Sequence, residues 1–166
     1  SGFGVLLSLG PSSSVVGCSV SQNSVGIEGG DAFIEGCTLD ANEDAIVAFG
    51  STIMNDCIAT GSTGIAFTFT IGTDAVATAC VATDGPNDGG FVCMADRVRL
   101  IGCTGNANSV GFVLLGNDCR LEGCTASGNT GDGFVDFGLR CHAQRLTANT
   151  NGGTGIRFVG SDALVV

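Results

Sequence analysis

Few residues in this chain could do chemistry: nine Cys, a single His, sixteen Asp and Glu, and six Arg with no Lys. No Cys-x-x-Cys pair occurs, which excludes zinc ribbons and thioredoxin-like redox motifs. The one histidine, His142, has neither a nucleophile elbow nor a partnered acid nearby in sequence, so no Ser-His-Asp arrangement is legible. Asp132, Asp136, Arg140, His142 and Arg145 form the most polar stretch. Acid and base catalysis on a polysaccharide would be sought there, yet no matched pair of carboxylates recurs. The turn Thr83-Asp84-Gly85-Pro86-Asn87-Asp88-Gly89-Gly90 carries oxygen ligands of the kind Ca²⁺ takes, without the spacing of a calcium loop. No catalytic residue, metal or cofactor is expected from these groups.

Charge narrows the partners. A net charge of −10 leaves no basic cluster able to track a phosphate backbone, so nucleic acid is excluded as a partner. Charged residues are 13% of the chain against roughly 25% in ordinary soluble domains. Apolar runs such as Gly111-Phe112-Val113-Leu114-Leu115 fall far short of the ~20 residues of a membrane-spanning helix.

The elements that must position these residues are visible as a repeat. Gly17-Cys18, Gly36-Cys37, Asp56-Cys57, Ala79-Cys80, Gly102-Cys103, Gly123-Cys124 and Arg145-Leu146 recur every 19 to 23 residues. Each is followed by a small residue and a short apolar run, as in Gly64-Ile65-Ala66-Phe67, Gly90-Phe91-Val92, Gly111-Phe112-Val113 and Gly133-Phe134-Val135. Short β-branched and aromatic runs between Gly, Asn, Asp and Ser turns predict strands only, and no segment carries a 3.6-residue period.

The pattern resembles the right-handed parallel β-helix of the pectate-lyase-like superfamily, with its short Gly-Cys/Asn-Thr and Gly-Ile/Phe repeats. The resemblance implies an all-β, single-stranded right-handed solenoid, here of about 7–8 rungs in one domain over residues 1–166; its ends read as uncapped from the terminal residues themselves. It implies little about activity, because that architecture hosts lyases, hydrolases, epimerases, tailspikes and structural proteins.

Strand alternation sorts the repeats into ladders. Cys18, Cys37, Cys57, Cys80, Cys103, Cys124 and Leu146 are expected to stack inward, as are Phe91, Phe112, Phe134 and Ile156. Phe67 is placed with Cys93, Leu114 and Phe158, a column in which Asp136 is the misfit. Outward columns read Val47 and Phe49, Ala66 and Thr68, Val92 and Met94, Val113 and Leu115, Val135 and Phe137, Arg157 and Val159. Strands apolar on both faces are normally covered. Val92, Met94, Val113, Leu115, Val135 and Phe137 are therefore expected to meet another chain. Phe33 and Ile53 are expected to do so in a second outward column that continues through Val76 to Arg99, Arg120 and His142. Stacked arginines there are expected to recruit acids such as Glu122.

Phe3 and Val5 at one end and Leu164 and Val166 at the other are expected to present complementary open strand edges. Cys93, Cys119 and Cys141 are candidates for disulfides, Cys93 for one between chains. The expected function is a secreted, extracellular structural protein that polymerises with itself, end to end and laterally, into a filament, tube or sheath. Two alternatives stand beside it. One is a glycan-binding or polysaccharide-cleaving β-helix. The other is an ice-binding solenoid using the Thr-rich columns Thr104/Asn106, Thr125/Ser127 and Thr147/Asn149.

Overall fold

In the computed structural model the chain is a parallel β-solenoid of about seven turns, described for residues 2–6, 13–87 and 89–166. Every turn of the coil supplies one strand to each of three sheets. Sheet A is built from Phe3–Leu6, Val25–Gly30, Asp44–Phe49, Phe67–Phe69, Gly89–Cys93, Val110–Leu114, Phe134–Asp136 and Ile156–Phe158. Sheet B contains Ser14–Val16, Phe33–Glu35, Ile53–Asn55, Val76–Thr78, Arg99–Ile101, Arg120–Glu122, His142–Gln144 and Leu164–Val165. Sheet C contains Ser19–Ser21, Thr38–Asp40, Ile58–Thr60, Val81–Thr83, Thr104–Asn106, Thr125–Ser127 and Thr147–Asn149. All strand pairs are parallel, and among the described residues no helix is long and apolar enough to cross a membrane.

Strands of three residues turn sharply because single residues adopt left-handed backbone at the corners. Between sheets B and C these are Gly17, Gly36, Asp56, Ala79, Gly102, Gly123 and Arg145, with φ between 50° and 63°. One left-handed residue breaks the two-residue alternation, so the Cys that follows points inward although it stands three residues after the inward residue of the strand before it. Glycine fills this corner on four of the seven turns because it adopts left-handed backbone at the lowest cost.

The core is a set of axial stacks. Cys37, Cys57, Cys80, Cys103 and Cys124 are fully buried one above another, and Ile34, Met54, Ala77, Leu100, Leu121 and Ala143 line sheet B. On sheet A the rings of Phe67, Phe91, Phe112 and Phe134 stack nearly parallel, with centroids 4.7 to 4.8 Å apart. That distance is the spacing between adjacent parallel strands, so the rings inherit their contact from the backbone.

Phe67 is a correction to the sequence-based register. It pairs with Ile46 and Phe91, and it is Phe69 that pairs with Cys93. The Gly64-Ile65 pair stands two residues short of the strand position that Gly90-Phe91 takes on the next turn, so here the small-apolar motif marks the corner and Phe67 the strand. Asp136 does occupy the core column, paired with Leu114 and Phe158 in unbroken register.

Candidate functional site

Two sheet faces, two corner ladders and one buried cluster carry the residues that chemistry or recognition would use. On sheet A the outward column next to the stacked rings reads Glu28, Val47, Thr68, Val92, Val113, Val135 and Arg157. Thr68, Glu28 and Arg157 interrupt the expected apolar stripe, and Val92 and Val135 are only 8% and 4% exposed. Those two valines are thus covered within the chain itself and do not contribute to an open surface. The exposed apolar residues stand one step further along each strand. Met94, Leu115, Phe137 and Val159, on four successive turns, are 45%, 48%, 48% and 57% exposed. Val113 between them is half-buried.

Sheet B carries the second outward column as expected. Ser14, Phe33, Ile53, Val76, Arg99, Arg120, His142 and Leu164 are in register from one end to the other. Glu122 serves two arginines: Arg145 closes on its Oε1, and Arg120 lies 3.7 Å from its Oε2. Arg157 is paired with Asp132. Of the six arginines, Arg99 alone has no carboxylate partner among the described residues.

The corner between sheets A and B holds an arrangement that the sequence reading missed. Asp74, Arg97, Asp118, Arg140 and Asp162 follow one another up the corner, each with positive φ, in alternating charge. Arg97 is bidentate on Asp74, and Arg140 on Asp118. A constant offset of six residues before the Cys-motif positions 80, 103, 124 and 146 would have revealed it.

A second missed ladder sits at the opposite corner, five residues after each Cys-motif position. Asn42 Nδ2 donates to Val20 O, Asn108 Nδ2 to Ala82 O, Asn129 Nδ2 to Gly105 O and Asn151 Nδ2 to Ala126 O. Their Oδ1 atoms accept the N–H groups of Asn23, Gly85, Asn108 and Asn129 on the preceding turn. Ser62 takes the place on one turn, and its Oγ is buried without a partner.

The buried cluster is Asp136 with Cys141 and Cys119. Asp136 is 1% exposed; its Oδ1 accepts the Gly138 N–H at 2.9 Å, and its Oδ2 has no hydrogen bond. Burial pushes its pKa above the usual carboxylate range. Thus the polar stretch around His142 is dispersed: Asp136 faces the core, Asp132, Arg140 and Arg145 are paired elsewhere, and His142 faces outward beside Arg120. The structure does not bring these groups together as an acid and base pair. In the turn over residues 83–90, Asp88 lies outside the described residues. Among those described no group of three or more His, Cys, Asp or Glu side chains is placed to hold a metal ion.

All nine cysteines are free thiols, and Cys93, Cys119 and Cys141 are buried. The three candidates for disulfides are thus placed in the core of the solenoid, unbridged. Burial raises the Cys93 pKa, and a thiol hydrogen bond from the neighbouring turn followed by burial raises those of Cys57, Cys103 and Cys141. Such thiols are protonated and unreactive. At the ends, Phe3–Leu6 forms the first strand of sheet A and Leu164–Val165 the last of sheet B, where Val166 N–H donates to Ala143 O.

With this coil and these ladders the chain belongs to the right-handed β-helix family, whose pattern it matches over residues 23–166. In sequence it matches none of the curated proteins. Among solved structures it is similar to the A-module of a mannuronan C-5 epimerase from Azotobacter vinelandii, at 13% identity and a TM-score of 0.66. That match covers 85% of this chain and 54% of the epimerase module. A second match is the catalytic domain of a GH87 α-1,3-glucanase, at 9% identity, a TM-score of 0.36, and 85% and 50% coverage. The chain thus spans about half the length of either protein, and the likeness is one of fold.

Proposed function

We propose that this solenoid is a structural element of an extracellular filament, tube or sheath, and that it associates laterally with further copies of itself through sheet A. The observation that carries this reading is the exposed run of Met94, Leu115, Phe137 and Val159. One large apolar side chain per turn, at ~4.8 Å intervals, is matched in pitch by another surface of the same pitch. A second copy supplies that surface. Contiguous apolar patches of this kind mark interaction sites. The four thiols of Cys57, Cys80, Cys103 and Cys124 act in this reading as small core hydrophobes rather than cross-links.

The test is sedimentation velocity of the purified chain beside Leu115→Asp/Phe137→Asp. Wild type should sediment as assemblies larger than a dimer, and the variant should lose them while keeping its β-sheet circular dichroism. Unchanged assembly in the variant would overturn the reading.

A second reading, glycan binding, draws on the outer face of sheet C. There Thr104, Thr125 and Thr147 stand in register beside Asn106, Ser127 and Asn149, a flat array of hydroxyl and amide groups. Affinity on a glycan array, lost in Thr125→Val, would favour it; thermal hysteresis of ice growth would assign the same face to ice instead.

A further inference from the structure

The distribution of charge along the solenoid axis is lopsided. Eleven of the sixteen acidic residues lie before Arg97, and all six arginines lie at or beyond it. Sheet B shows the consequence on one face. Its early turns present Phe33, Glu35 and Ile53, flanked by the exposed corner acids Asp31 and Asp56; its later turns present Arg99, Arg120 and His142.

An open recess of about 470 Å³ lies on the early half of this face. Ser14, Phe33 and Ile53 line it on the sheet, and Asp31 and Ser51 on the corner. Asp31 Oδ1 accepts the Ser51 N–H at 2.8 Å, which fixes the carboxylate at the rim. An aromatic face beside an oriented carboxylate is the environment an arginine takes: the stem and guanidinium lie over the ring while the N–H groups reach the acid. Arg99, the one arginine without a carboxylate partner among the described residues, stands on the same outward column three turns away from Phe33.

We propose that sheet B is a two-fold interface between antiparallel copies of this chain, in which Arg99 of each copy enters the Asp31/Phe33 recess of the other. The register follows from the column. A two-fold axis parallel to the strands, passing between the turns of Ile53 and Val76, sets Ile53 against Val76 of the second copy. The same axis sets Phe33 against Arg99, and Ser14 against Arg120. Each contact occurs twice, as an isologous interface requires. Apolar residues then occupy the centre and charged ones the rim, the usual anatomy of a specific interface. The acidic half of each copy also covers the basic half of the other, whereas a parallel pairing would set like charges against each other.

The inference deepens the assembly reading by adding a second, polar face to the apolar one on sheet A, and the two fail separately. Sedimentation velocity is run on the full chain in the Leu115→Asp/Phe137→Asp background. That background should sediment as a dimer. Adding Arg99→Asp should weaken the dimer by at least about tenfold, and adding Asp31→Arg to Arg99→Asp should restore it. Raising the salt from about 0.05 to 0.5 M should weaken the dimer as well. A monomeric background, or a dimer indifferent to Arg99→Asp, overturns the sheet B interface and leaves sheet A untouched. A wild-type chain that is only dimeric and is split by Arg99→Asp keeps this interface and overturns lateral assembly through sheet A. Circular dichroism of each variant separates lost association from lost folding, and failure of the charge-reversed pair to re-form the dimer in folded protein also overturns the proposal.

Discussion

Arg97 lies one turn beyond Asp74 on the same corner, and its guanidinium closes on that carboxylate through Nε at 2.9 Å and an NH₂ group at 2.8 Å. Arg140 and Asp118 repeat the arrangement two turns later. All four residues hold left-handed backbone, which is unfavourable for side chains larger than glycine. The paired charges act at the positions where the coil is otherwise least favourable.

The Asp74 pair should give the fold an acid limit. Hydrogen bonding to Arg97 holds the Asp74 pKa down to about 2. The folded chain therefore releases this proton more readily than the unfolded chain. The pair's stabilisation is complete above the ordinary carboxylate range and is lost as pH falls towards 2. Because both groups are solvent-exposed the effect is small, and it is read by difference: the thermal midpoint of Asp74→Asn should fall less than that of wild type over this acid range.

Asp136 should behave in the opposite sense. Its raised pKa means the folded chain holds the proton more tightly than the unfolded chain. Its contribution is most favourable below the ordinary carboxylate range and declines as pH rises through the folded-state value. Asp136→Leu, which matches Leu114 on the preceding turn, should stabilise the chain at neutral pH by about 1–3 kcal/mol in urea unfolding. Asp136→Asn should remove the pH dependence.

Ser62 interrupts the asparagine ladder with an unpartnered hydroxyl. Ser62→Asn places an Oδ1 where Asn42 N–H can donate to it and an Nδ2 within reach of the Leu39 carbonyl, as Asn42 does on the preceding turn. The substitution should raise stability by about 1 kcal/mol. The converse change, Asn129→Ala, strands the Asn108 N–H and the Gly105 carbonyl and should cost about 2–4 kcal/mol. Chemical denaturation of both variants checks the pair of signs.

Thiol counting should report the fold directly. Eight of the nine cysteines are buried and Cys18 is partly exposed. Native protein should release one equivalent of chromophore rapidly with an aromatic disulfide reagent, and nine in denaturant. More than one rapid equivalent without denaturant would contradict the inward stacking.

Much of this molecule was readable before its structure. The cysteine repeat locates each turn, and the Arg99, Arg120 and His142 column follows from two-residue alternation alone. Phe67 was misplaced because a corner of variable length shifts a three-residue strand without changing its apolar character. Val92 and Val135 read as outward residues for a second chain, yet alternation reports only which face a side chain takes and says nothing of what the neighbouring turns place over it. The Asp74–Arg97 and asparagine ladders join residues 19 to 26 apart and are visible only when corners as well as strands are aligned. The recess at Phe33 depends on Asp31 and Ser51 from two successive corners, which no single segment encodes.

The stack of Phe67, Phe91, Phe112 and Phe134 has an optical consequence. The chain contains neither Trp nor Tyr, so its ten Phe rings, these four among them, are its aromatic absorbers, and no indole or phenol drains their excitation. Four rings held parallel at a common spacing share excited states along the solenoid axis, and that sharing ends when a turn separates. The coupled part of the near-ultraviolet dichroism and phenylalanine emission therefore follows the integrity of the middle turns, giving the protein an intrinsic spectroscopic gauge that needs no label.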